Sequence, residues 1–343
     1  MKKTRAIAYA ILAAAFYAVN IPVSKLLLSY VGAMTMAALL YLGAGVGIGI
    51  VSCFHKNERR EKLDRKDLPF VIGMIVLDIA APILLMIGLS MGFASNASLL
   101  GNFEIVATSL IALVVFKETV SKRLWFAIAL ITLSSILLSF EGSESFRFSY
   151  GSLLVIAATV CWGFENNCTR KISSKSTYEI VILKGVFSGL GALAIAFIKK
   201  ETIPSLLHIA LALLLGFVAY GLSIFLYVRA QNVLGAAKTS AYYAVAPFIG
   251  ALLSFIFLKE KLTWMYLVAF GVMAFGTAIM VIDTLIRNHV HVHTHTFTHT
   301  HDGVTHTHTV THSHEHNHYI TEGKHGHRHT QSEMEKLPGA SHQ

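Results

Sequence analysis

Charge is scarce in this sequence. Asp, Glu, Lys and Arg make up 14% of 343 residues, and 54% are hydrophobic, whereas a soluble domain averages about 25% charged. That balance excludes an ordinary solvated domain. Cysteine is scarce as well. Cys53, Cys161 and Cys168 form no CxxC pair and no disulfide framework. Cys161 and Cys168 share one helix face and read as packing residues. No P-loop is present, and the chain does not read as an enzyme. Gly43, Gly45, Gly47 and Gly49 lack the strand and lysine of a phosphate loop and read as a close helix contact. In so apolar a chain, the formal charge of +9 points to orientation in a bilayer, not to nucleic acid.

What is present is a repeat. Ala13 to Lys25 reads Ala-Ala-Ala-Phe-Tyr-Ala-Val-Asn-Ile-Pro-Val-Ser-Lys, and its shape returns at Ala158 to Arg170. Tyr17-Ala18 falls on Trp162-Gly163, Asn20 on Glu165, Ser24 on Thr169 and Lys25 on Arg170. A second echo is Phe116-Lys117-Glu118 against Leu258-Lys259-Glu260. Internal repeats define architecture before any single motif does. These divide the chain into halves at 1–145 and 146–288, followed by a tail at 289–343.

A helix needs about 20 apolar residues to cross a bilayer. Ten runs qualify: 6–28, 33–54, 69–91, 94–116, 122–140, 150–170, 178–198, 205–228, 237–258 and 262–284. Lys and Arg crowd the N-terminus, the 55–68 loop and the loops after the fourth and sixth runs. Because such residues stay on the cytoplasmic side, both termini are expected there. Five helices per half is an odd number. The halves then enter the membrane in opposite senses, the inverted-repeat plan of secondary transporters.

The AAFYAVNIPVSKLLL opening, the ASLLGNFE stretch in the fourth run and the Lys-Glu closing the fourth and ninth runs resemble the EamA branch of the drug/metabolite transporter superfamily. The resemblance covers about residues 5–285. It implies a carrier that exports small solutes such as amino acids, metabolites or drugs. The chain departs from the family pattern at Ile105, after Glu104, where proline is common, and in its tail.

Ionisable residues at membrane depth are functional candidates because they are expensive to bury. By helical rise, Asp78 lies about 13 Å from the cytoplasmic end of its run and Glu104 about 15 Å from the outer end of its own. Asn102 adds an amide beside Glu104. Asn20 and Tyr220, the repeat partners of Glu165 and Asp78, complete the candidate solute or coupling set. The bland alternative is that these groups only satisfy each other and the backbone. Glu165 and Lys184 sit at matched depth with opposite charge, which suggests either a static ion pair or an inner gate. Pro22, Pro82 and Pro247 are expected to interrupt their helices. Tyr242, Tyr243, Phe16 and Tyr17 read as substrate wall or as bundle core.

The tail differs in kind. His291, His293, His295, His299, His301, His306, His308, His312, His314, His316 and His318 alternate largely with Thr, Val and Ser. Such tracts bind Zn, Ni, Co or Cu through neutral imidazole without choosing among them. Without metal the tail is expected to be disordered, for lack of apolar residues to build a core.

The expectation is therefore an all-α integral membrane protein of ten transmembrane helices in two inverted five-helix repeats, with a disordered His-rich tail. It would sit in the plasma membrane with lipid and a small-molecule solute as partners, need no cofactor, and admit a homodimer. Its role would be alternating-access export of a small organic solute, with proton coupling as the candidate drive. A transition-metal carrier and a non-transporting, metal-buffering membrane anchor are the alternatives.

Overall fold

A computed structural model describes residues 3–54, 63–116, 121–141, 147–172, 175–234, 239, 242–301 and 304–319. The chain divides into two units, Met1–Val281 and Ile282–Gln343.

The first unit is a helical bundle. Its helices are α1 (Lys3–Ala18), α2 (Asn20–Leu27), α3 (Ala33–Cys53), α4 (Leu68–Met91), α5 (Ala94–Leu100), α6 (Phe103–Phe116), α7 (Lys122–Leu138), α8 (Tyr150–Ile172), α9 (Thr177–Ile198), α10 (Leu206–Gly216), α11 (Ser223–Leu234), α12 (Ala246–Leu258) and α13 (Trp264–Leu285). A π-helical turn, Phe217–Leu222, joins α10 to α11. All ten apolar runs thus contain helix. Among the described residues, seven stretches are long and apolar enough to cross a membrane: Thr4–Leu27, Ala33–Cys53, Leu68–Met91, Ala94–Val115, Thr177–Ile198, Leu206–Tyr227 and Trp264–Asp283. Of the rest, α7 and α12 are shorter, and Glu165, Asn166 and Asn167 dilute the apolar content of α8. Large apolar side chains such as Ile50, Val76, Val114 and Phe197 face outward. An exposed apolar surface of this extent suits lipid.

Breaks in the helices follow from particular residues. Pro22 has no N–H to give the Ala18 carbonyl, and α1 ends at Ala18. The run 94–116 breaks between Leu100 and Phe103, at the depth of Asn102. Pro82, expected to interrupt its helix, lies inside an unbroken α4. One lost hydrogen bond is tolerated there because α4 is braced by α8 and α9. Pro247 sits in the first turn of α12, where a missing N–H costs nothing.

Helices of one half pack mainly on helices of the other: α3 on α9, α4 on α8, α1 on α11, and α5 on α12. Glycine permits the closest of these approaches. A Cβ on Gly45 would lie 2.7 Å from the Val186 nitrogen, and one on Gly185 would lie 2.5 Å from the Gly45 Cα. Gly43 and Gly47 are equally hemmed in, by Leu213 and Phe217, whereas Gly49 has nothing nearby.

Two Lys-Glu dipeptides lock helix starts. Lys200 and Lys259 adopt left-handed backbone (φ 56° and 52°) at helix ends. The glutamate that follows each one then reaches a helix distant in sequence. Glu201 accepts from the N–H groups of Met34 (3.1 Å) and Thr35 (2.8 Å), and Glu260 from those of Ala94 (2.7 Å) and Ser95 (2.9 Å). Carboxylates at helix N-termini satisfy orphan donors and complement the dipole. The echo at Lys117-Glu118 lies outside the described residues.

The helices are accompanied by two antiparallel strand pairings. β1 (Phe140–Glu141) and β2 (Arg147–Phe148) form a short antiparallel ladder near the junction of the halves. In the second unit, the tail is not disordered over its described part. It forms an antiparallel hairpin of β3 (Ile286–His301) and β4 (Val304–Tyr319). Alternating Thr and Val supply the strand preference that the count of apolar residues missed. His289 stands opposite His316, His291 opposite His314, His293 opposite His312 and His299 opposite His306. The side chains of the tail histidines, His291 to His318, lie outside the described residues.

Candidate functional site

Two polar constellations occupy the bundle, and α8 serves both. The first is an ion cluster. Lys184 on α9 places its Nζ 3.0 Å from Glu165 Oε1 on α8 and 3.2 Å from Asp78 Oδ2 on α4. The contact to Oδ2 is an ion pair without the alignment of a hydrogen bond. Asp78 is wholly buried; its other oxygen accepts from Tyr41 Oη at 2.8 Å. Trp162 Nε1 donates to the same Tyr41 oxygen at 3.3 Å. Thr169, one turn after Glu165, donates to Glu165 Oε1. Two carboxylates therefore share one ammonium, and each has a further donor.

The repeat partners of these acids also meet. Asn20 Nδ2 donates to Tyr220 Oη at 3.1 Å, and Ser24 Oγ donates to Asn20 Oδ1 at 3.1 Å. Asn20 corresponds to Glu165 and Tyr220 to Asp78, so a neutral contact stands at the place that the repeat relates to the charged cluster. The two assemblies touch through Tyr41 and Tyr220, whose rings lie 5.4 Å apart. Tyr220 rides on the π-helical turn, a device that often re-aims a side chain at a functional site.

The second constellation is a cavity of about 110 Å³. It is bounded by the α1–α2 break, the α5–α6 break, α4, α8 and the start of α12. Glu104 and Asn102 line it, with Ser98, Tyr17, Trp162 and Tyr243. Glu104 Oε1 accepts from Asn166 Nδ2 at 2.7 Å. Successive helix residues project about 100° apart, so Glu165 meets Lys184 while Asn166 meets Glu104. Asn102 is wholly buried, and neither its amide oxygen nor its amide nitrogen has a partner. Ser98 Oγ is unpartnered too.

The structure thus separates Asp78 from Glu104, which the sequence grouped by depth. It places Asp78 with Glu165 and Lys184, and Asn20 with Tyr220. Of the four aromatics considered as a wall, Tyr17 and Tyr243 line the cavity, with rings 5.9 Å apart, and Phe16 and Tyr242 do not. Sequence reasoning missed Tyr41 and Trp162 in the cluster, and Ser98 and Thr159 in the cavity. Trp162 was legible as the repeat partner of Tyr17; Tyr41 carried no signal. Among the described residues, no group of three or more His, Cys, Asp or Glu side chains could hold a metal ion.

Long apolar helices, broken at mid-depth around a cavity with buried acids, define a membrane transporter. The chain belongs to the EamA-like transporter family, whose model matches residues 4–140 and 149–282. It is 26% identical over 290 residues to an uncharacterized transporter of Methanothermobacter thermautotrophicus, covering 79% of this chain and 84% of that one. It is 21% identical over 247 residues to the uncharacterized transporter YyaM of Bacillus subtilis, covering 68% and 79%. A protein known from its crystal structure matches with a TM-score of 0.60 at 14% identity, over 80% of this chain and 95% of that one. This last likeness is one of fold alone.

Proposed function

We propose that the protein is a secondary carrier with ten transmembrane helices in two inverted repeats and both termini in the cytoplasm. It exports a small organic solute, such as an amino acid or metabolite, through the cavity beside Glu104. The single observation that carries this reading is the cavity itself. It lies where two helices break and holds a buried amide whose polar atoms are left unpaired. The packing supports the inverted plan. A two-fold relation that exchanges the halves maps the α4–α8 pair onto the α11–α1 pair and leaves α3–α9 and α5–α12 on its axis.

In this reading Asp78, Glu165 and Lys184 form the inner gate and the coupling site. Two carboxylates against one ammonium leave room for one proton in a neutral cluster, and an uncompensated buried charge is costly. Proton arrival and departure would loosen and reset the α4–α8–α9 contact. The test is flux in proteoliposomes under an imposed pH gradient. Asp78→Asn should abolish gradient-driven flux and retain solute exchange. Gradient-driven flux at the wild-type rate in this variant would sink the coupling role.

The hairpin adds an accessory role. Its cross-strand histidine pairs support collection of divalent Zn, Ni, Co or Cu. Metal as the transported cargo has no such support: among the described residues, the side chains around the cavity include no His or Cys.

A further inference from the structure

Asp78, Glu104 and Glu165 lie at membrane depth, and their surroundings differ in one respect. Asp78 and Glu165 are neutralised by the ammonium they share. Glu104 is not. Among the described residues its polar partner is the Asn166 amide, and no cation stands within ion-pair range. It is half-buried and borders the cavity. A carboxylate at membrane depth needs a compensating positive charge, and among the described residues none stands against Glu104.

The rest of the lining defines what could bring that charge. Asn102 is wholly buried with both amide atoms unpartnered, and Ser98 is buried with an unpartnered hydroxyl. Unpaired buried polar atoms are destabilising unless a ligand engages them. The amide oxygen can accept from an N–H, and the amide nitrogen can serve a second polar group. Tyr17, Trp162 and Tyr243 present aromatic surface, which attracts cations through the ring face. Ile21, Leu85, Ile105 and Val155 supply an apolar wall for a hydrocarbon body.

We infer that the cavity takes a small organic ammonium ion with an apolar or aromatic body, its positive charge paired with Glu104 and its N–H groups shared with Asn102. This rests on the carrier reading above and narrows it. Anions are disfavoured by Glu104, and neutral solutes leave its charge uncompensated. Glu104 and Asn102 are then specificity-determining residues.

The experiment uses three probes of one shape: 2-phenylethylammonium, 2-phenylethanol and 3-phenylpropionate. Binding of each is measured at neutral pH on the purified full chain. The ammonium should bind at least about tenfold tighter than the alcohol or the carboxylate, as expected for a desolvated charge pair. Glu104→Gln should erase that preference while alcohol binding persists. Asn102→Ala removes two buried atoms that have no partner, so it should fold whether or not Glu104→Gln does, and it should weaken the ammonium by about tenfold. Equal affinity for the three probes, a preference that survives Glu104→Gln, or unchanged affinity in Asn102→Ala overturns the inference. The carrier reading fails separately, if proteoliposomes move no solute of any charge. Flux of an anionic or neutral solute without ammonium preference sinks the cation assignment alone.

Discussion

The Lys184 ammonium lies 3.2 Å from the carboxylate of Asp78, a residue 106 positions earlier on a different helix. Glu165 closes the triangle at 3.0 Å from the same nitrogen. The cluster is therefore not a simple pair, and its members should respond unequally to substitution. Lys184→Met strands two buried carboxylates and should lower stability by about 3–5 kcal/mol. Glu165→Gln leaves a one-to-one pair with Asp78 and should be milder. Combining Lys184→Met with Asp78→Asn and Glu165→Gln should restore much of the loss. Thermal unfolding in detergent gives the readout, and strictly additive losses would mean the three groups are not coupled.

The carboxylate caps make a second prediction. Glu201→Ala frees the N–H groups of Met34 and Thr35, and Glu260→Ala frees those of Ala94 and Ser95. Each should cost about 1 kcal/mol through lost hydrogen bonds and dipole complementarity. The Gln variants keep some of the bonding without the charge and should fall between. Wild-type melting of both Ala variants would show that water replaces the carboxylates.

Glycine positions should separate by the space around them. Gly45→Leu and Gly185→Leu drive a side chain into the backbone of the facing helix, where a Cβ already comes within 2.7 Å. Both should cut folded yield sharply, since overpacking costs about 1–3 kcal/mol or more. Gly49→Ala and Gly271→Ala meet nothing within 4 Å and should be neutral or slightly stabilising. Comparable yields for the two sets would deny the close crossing of α3 and α9.

Orientation can be read from a native thiol. Cys53 is exposed at the end of α3, on the side proposed as cytoplasmic from the Lys/Arg asymmetry. In a Cys161→Ala, Cys168→Ala background, an impermeant maleimide should leave intact cells unlabelled and should label inverted vesicles. Labelling in intact cells would reverse the topology.

Truncation after Asn288 removes β4 and nearly all of β3, and no part of the bundle. The shortened protein should keep flux of the organic solute and lose divalent metal binding. In the full chain that binding should fade below about pH 6, as protons compete for imidazole. Metal binding retained after truncation would move the metal site into the bundle.

The helical bundle, the two-fold repetition and the depth of each buried polar residue were determined by the sequence alone, because a bilayer leaves a chain few choices. Twenty apolar residues must form a helix to satisfy their own backbone, and a charge among them stands out. Even the pairing of Glu165 with Lys184 followed from equal depth and opposite sign. What tertiary structure decided is azimuth, meaning which way each side chain faces around its helix and which helix stands opposite. Depth put Asp78 and Glu104 together, but packing of α4 on α8 and α9 sends Asp78 to Lys184, and the α5–α6 break turns Asn102 and Glu104 to the cavity. Tyr41 joins Asp78 through the packing of α3 on α4, a contact that depth along each helix does not reveal. The tail departs from expectation for a related reason. Its lack of apolar residues rules out a core, yet strand pairing needs only alternating β-branched residues and a partner in register, and the two histidine-bearing segments supply both.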